Sequence, residues 1–90
     1  MDYSEYYKDA LFKWVCGNVN LIEEILGERI LSIEGDKYTS GTVVKTTVNN
    51  YWFGWSYKIG GKVCFNDWGN GTEGEISPDC SSYTIERYDA

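Results

Sequence analysis

Ninety residues carry fourteen acidic against eight basic side chains, a net charge of −6, with 42% hydrophobic and 17% aromatic residues and a single proline. A chain of this length builds one hydrophobic core, and this aromatic content belongs to a folding chain rather than a disordered one, so a single domain spanning 1–90 is expected. The sequence has no histidine, which removes the commonest general base and the Cys-His and Ser-His nucleophile designs.

In chain order, Tyr3, Tyr7, Ala10, Leu11 and Trp14 recur at three- and four-residue spacing and predict a core-facing helix over 4–16, ended by Gly17-Asn18. Asn20 with Glu23 three residues on resembles a capping box, and Leu21, Ile22, Ile25 and Leu26 predict a second helix over 21–26 closed by Gly27. From Glu28 onward the period changes to two. Strands are expected at 28–34, 37–48, 51–59, 62–66 and 82–88, separated by Gly35-Asp36, Asn49-Asn50, Gly60-Gly61 and a loop over 67–81. Asn70-Gly71-Thr72 reads as a glycine-rich turn rather than a glycosylation acceptor. In 51–59 the alternation assigns Tyr51, Phe53, Trp55, Tyr57 and Ile59 to the core and Trp52 to the other face; Val44 with Val48, Val63 with Phe65, and Tyr83 with Ile85 supply matching inward positions. The resulting fold class is α+β: two short N-terminal helices packed on one face of an antiparallel, mostly meander sheet of four to five strands. On this assignment Trp55→Ala costs about 3–5 kcal/mol.

Cys16, Cys64 and Cys80 are odd in number and contain no CxxC pair, so neither a tetrahedral zinc site nor a disulfide framework is expected; Cys16 reads as a buried structural thiol and Cys64 as outward. The acidic start Met1-Asp2-Tyr3-Ser4-Glu5 is unlike a signal peptide, no apolar run approaches the roughly 18 residues of a membrane span, and the expected location is cytoplasmic. Carboxylate pairs among Asp67, Glu73, Glu75 and Asp79 could run glycosidase-type chemistry, but one small core leaves little material to wall a cleft. The segment Asp67-Trp68-Gly69-Asn70-Gly71-Thr72-Glu73-Gly74-Glu75 offers oxygen ligands without the EF-hand pattern, and a solvated loop is the better reading than a calcium site. Gly60-Gly61-Lys62 lacks the spacing of a phosphate loop.

Charge is distributed unevenly: residues 1–36 carry net −5, residues 37–62 net +4, and residues 63–90 net −5 with Arg87 their one base. Direct nucleic-acid binding requires clustered cations and is not expected; a basic partner is the electrostatic match. Surplus surface residues mark the expected contact. Phe12 lies off the core stripe of the first helix, whose other side carries Glu5 and Asp9; Trp52 and Trp68 fall outside the core alternation; and Asp67, Glu73 and Glu75 crowd the long loop. The chain therefore reads as a small acidic non-enzymatic protein, without cofactor, metal or membrane contact, that binds and inhibits a larger basic protein such as a nucleic-acid-handling one, in the general manner of phage-type antagonists of host or defence machinery. The alternatives are a small-molecule or carbohydrate module using exposed sheet aromatics and a homodimeric structural subunit.

Overall fold

The computed structural model describes residues 3–56, 61–68 and 71–88, with side chains from Ala10 onward. Helix α1 (Tyr3–Gly17) turns the buried side chains of Leu11 and Val15 and the half-buried indole of Trp14 to the interior, a three- and four-residue spacing that defines one helix face. Ala10, assigned to that stripe by periodicity, is exposed, and the side chains of Tyr3 and Tyr7 lie outside the described residues. Helix α2 (Val19–Leu26) follows after one residue and buries Ile22, Ile25 and Leu26. Gly27 ends it in the left-handed conformation, φ 70°, where its N–H donates to Glu23 O at 2.8 Å. The expected capping box does not form: α2 starts at Val19, and the Glu23 carboxylate instead accepts the Ile30 N–H at 2.8 Å.

Six strands follow, β1 (Ile30–Gly35), β2 (Thr42–Thr46), β3 (Asn50–Trp55), β4 (Val63–Asn66), β5 (Thr72–Ile76) and β6 (Tyr83–Arg87), in an antiparallel meander of order β1-β2-β3-β4-β5-β6. That is more strands than expected, because β5 lies inside the segment read as a loop. Its sequence Thr-Glu-Gly-Glu-Ile is poor in strand formers, but ladders on both sides hold it. Gly74 at its centre has a packing reason: a Cβ there would sit 2.2 Å from Thr84 O and 2.6 Å from the Phe65 ring.

Strand register sorts the side chains into two faces. On the inner face Val44 stands opposite Ile33 and Tyr51, Phe53 opposite Thr42 and Phe65, and Val63 opposite Trp55 and Ile76. Phe53 and Phe65 stack at 5.2 Å, Tyr51 meets Phe65 edge-on at 6.5 Å, and these rings join Leu11, Val15 and the apolar face of α2 in one core. Helix α1 packs against β1, β2 and β3, while the start of α2 is tied to the β5–β6 connection and its end to the end of β6: Cys80 Sγ donates to Asn18 Oδ1 at 3.3 Å, and Arg87 Nη2 donates to Leu26 O at 2.7 Å. Trp14 Nε1 adds a bond to Pro78 O at 2.9 Å. A cation on the last carbonyls of a helix also answers its dipole.

One inward assignment fails because its strand ends sooner than its sequence pattern does. Val48 is 66% exposed, because β2 stops at Thr46 and the Thr46 hydroxyl accepts the N–H groups of Val48 and Asn49 to make a turn. Trp55 and Tyr83 keep their inward positions opposite Val63 and Ile76, but Trp55, at the end of β3, is only half-buried and Tyr83, at the start of the edge strand, is exposed. Leu31 is thrown outward by a register shift between Ile30 and Ser32. Tyr57, Ile59 and Gly60 lie outside the described residues.

One buried carboxylate ties these parts together. Glu28, with a side chain 7% exposed, accepts the Thr46 hydroxyl at 2.7 Å on Oε1 and the Tyr51 phenol at 2.7 Å on Oε2, and Arg87 Nη1 approaches to 3.9 Å. Burial first, and then the bond to Glu28, push the Tyr51 phenol from 10.0 up to about 12. Because the folded value is raised, the associated stability is complete below pH 10.0 and is lost as the pH climbs to about 12. Chemical denaturation across that window should record a loss of stability in the native protein, and Tyr51→Phe, less stable at neutral pH by about 2 kcal/mol, should lose distinctly less across it. The same assay should find that Phe53→Ala costs about 3–5 kcal/mol and Trp55→Ala distinctly less, since only Phe53 is fully enclosed.

Candidate interaction surface

The outer face of the sheet is set by the same register. At its β4–β6 end Glu73 stands directly opposite both Asn66 and Glu86, and Glu75 opposite Cys64 and Thr84. No Lys or Arg occupies an outer position of these three strands, because the alternation turns Arg87 inward to Glu28. The side chains border a shallow groove of about 330 Å³ lined by Cys64, Asn66, Glu73, Glu75, Thr84 and Glu86. Just past β6, the exposed Tyr88 hydroxyl stands 2.8 Å from Glu73 Oε1 and 2.5 Å from Glu86 Oε2, so one phenolic proton serves two carboxylates. Those two acceptors, Glu86 first, hold the Tyr88 phenol well above its ordinary range. Gly71, at φ 112°, permits this closure: a Cβ there would meet Tyr88 O at 2.4 Å.

The centre of the outer face is occupied by Trp52. Its indole lies across two glycines, since a Cβ at Gly54 would come within 2.1 Å of the ring and one at Gly41 within 2.2 Å of Nε1, and Nε1 donates to Thr39 Oγ1 at 2.9 Å. Expected as a projecting anchor, Trp52 is instead a half-buried side chain packed on its own sheet.

Trp68, by contrast, is 58% exposed and holds φ at +63°, a conformation that bulky residues rarely adopt. Its N–H is held by Asn66 Oδ1 at 3.1 Å, and the indole borders a cleft of about 720 Å³ with Leu31, Lys45, Val48, Asn49 and Asn50, continuing into a recess that reaches Glu34 and Val43. The same turn buries its neighbour: Asp67 is 2% exposed, its Oδ1 accepts the Thr72 N–H at 3.2 Å, and its own N–H donates to Thr72 O. Asp67 thus closes the β4–β5 turn and does not present a carboxylate to a partner.

The other expected contacts do not converge on this surface. Phe12 is half-buried on α1, and the side chains of Glu5 and Asp9 lie outside the described residues. Cys16, read as buried, is exposed, as is Cys80, while Cys64 faces the groove. Sequence reasoning missed Glu86, although alternation through 83–87 places it with Thr84. It also missed Tyr38, 94% exposed at the tip of the β1–β2 hairpin, where the buried Asp36 carboxylate accepts the Tyr38 N–H at 2.9 Å and the Thr39 hydroxyl at 2.7 Å. Among the described residues no three His, Cys, Asp or Glu side chains are grouped to hold a metal ion, and no helix is long and apolar enough to cross a membrane. Comparison with profiles of known protein families, with curated proteins and with solved structures finds no match.

Glu86→Gln should bring Tyr88 ionisation down toward the ordinary tyrosine value near 10, because the variant removes the nearer anion and keeps an acceptor. An NMR titration following the Tyr88 ring checks this, and an unmoved titration would dissociate Tyr88 from the acidic row.

Proposed function

We propose that this chain is a non-enzymatic binding protein whose outer sheet face engages the basic surface of a larger protein. The observation that carries the reading is the direct cross-strand opposition of Glu73 and Glu86, with Glu75 beside them and no cation at the outer positions of β4, β5 or β6. Like charges placed opposite each other destabilise a sheet by a few tenths to about 1 kcal/mol, and the one bond the row makes within the fold, to the Tyr88 hydroxyl, needs an acceptor rather than two opposed charges. Lysines and arginines of a partner would neutralise it, and the acids would steer the encounter. A surface that ordinarily receives phosphates would be blocked by such a row, which makes a cytoplasmic inhibitor of a nucleic-acid-handling protein the specific form of the proposal. Tyr88 beside the row and Trp68 beyond it are the aromatic anchors.

Affinity capture with the native chain and with the Glu73→Gln, Glu75→Gln, Glu86→Gln variant as baits tests the reading. A stoichiometric basic protein should be held by the native chain, released by about 1 M salt, where screening falls to about 3 Å, and absent from the variant. Equal capture by both baits would overturn it.

A second reading rests on Trp68. An exposed indole held in a strained conformation beside the amides of Asn49 and Asn50 and the amine of Lys45 is the composition of a small-molecule or carbohydrate site. Saturable quenching of tryptophan fluorescence by an oligosaccharide, lost in Trp68→Ala and kept in the triple glutamine variant, would favour it.

A further inference from the structure

The sheet has two edges, and they are built differently. β1 is interrupted by its register shift and throws Leu31 outward, a bulge of the kind that discourages strand addition. β6 pairs residue for residue with β5 from Tyr83 to Arg87 without a shift, and contains neither proline nor lysine. Among the described strands β5 is its one neighbour. The bonds Ser77 N–H to Ser82 O and Tyr88 N–H to Gly71 O fix which groups of β6 face β5. By antiparallel alternation, the backbone N–H and C=O groups of Thr84 and Glu86 point to β5, and those of Tyr83, Ile85 and Arg87 point out of the sheet. The acidic row begins immediately inside this edge, at Glu86 and Glu73. On the opposite face the edge offers an exposed Tyr83 and a half-buried Ile85 that packs against the core.

We infer that β6 is a docking edge for an extended basic segment of the partner, which adds a seventh strand and alternates cationic with apolar residues. The inference rests on the acidic-face reading and names what that face receives. Main-chain bonds to Tyr83, Ile85 and Arg87 fix the added strand, and its alternate side chains then fall on opposite faces. Those on the outer face stand beside Glu86, with Glu73 one strand further in, where lysine or arginine removes the like-charge opposition. Those on the inner face extend the apolar surface of Ile85 and Tyr83. A second copy of the chain is a poorer occupant, since antiparallel pairing of two β6 edges would bring two acidic rows side by side.

The test uses four synthetic peptides built from the same residues: lysine alternating with valine, the same sequence N-methylated on the amides of one edge, the same N-methylated on those of the other edge, and a block arrangement. Binding to the ¹⁵N-labelled native chain, to Tyr83→Pro, and to the Glu73→Gln, Glu86→Gln variant is followed by NMR. Proline suits Tyr83 because that N–H faces outward at the first position of an edge strand. The alternating peptide should shift and protect the amides of Tyr83, Ile85 and Arg87. Affinity should fall at least tenfold for one of the two N-methylated peptides and for the block peptide. Equal falls are expected for Tyr83→Pro and for the glutamine variant with the alternating peptide. If Tyr83→Pro does not fold, the N-methylated pair decides alone. Undiminished binding of both N-methylated peptides, with the glutamine variant still weakened, would overturn edge addition and leave the acidic face standing. Binding of no basic peptide, or concentration-dependent dimerisation through β6, would overturn both.

Discussion

Glu28 is the constraint on which the arrangement depends. It directly follows the glycine that ends α2, and its carboxylate takes the hydroxyls of Thr46 on β2 and Tyr51 on β3 while Arg87 on β6 closes over it. A buried charge is tolerated only when hydrogen-bonded and paired, so the helix end, two interior strands and the last strand are compelled to meet at one point. The consequence reaches the opposite face. Arg87 is the one basic residue among 63–90, and holding it at Glu28 and Leu26 O removes it from the side where Glu73 and Glu86 oppose each other. The neutralised interior and the uncompensated exterior are two results of one pairing.

Glycines decide which aromatic residues remain available for recognition. Gly74 receives the Phe65 ring on the inner side, and Gly41 and Gly54 receive Trp52 on the outer side. A domain of this size has little interior for its aromatic residues, and glycine-lined sheet surface supplies additional room. Among the described residues Tyr38, Trp68, Tyr83 and Tyr88 are left exposed, each at a strand connection or a strand end. The projecting aromatic groups consequently surround the sheet instead of covering its centre.

Both helices were legible because their apolar residues repeat at helical spacing, and β3 was legible because Tyr51, Phe53 and Trp55 alternate. β5 was not: Thr-Glu-Gly-Glu-Ile has weak intrinsic preference, and what makes it a strand is pairing with β4 and β6, partners remote from anything a local window reports. Val48 and Asp67 were misplaced for a related reason. A turn hydroxyl at Thr46 and a turn carboxylate at Asp67 control where the chain leaves the sheet, and hydropathy does not encode either bond. Of the proposed contact surface, Glu73, Glu75 and Trp68 could be named from sequence, whereas the pairing of Glu73 with Glu86 depends on register across thirteen positions of chain.

The central claim is that the Glu73–Glu86 opposition serves a partner rather than the fold. Its most direct test is the conformational stability of the isolated chain carrying Glu73→Gln and Glu86→Gln, measured by urea denaturation at neutral pH and low salt. The account predicts stability unchanged or raised by up to about 1 kcal/mol, because the amides keep acceptors for Tyr88 while the repulsion disappears. A loss greater than about 1 kcal/mol would contradict it, since the two carboxylates would then be holding the sheet together.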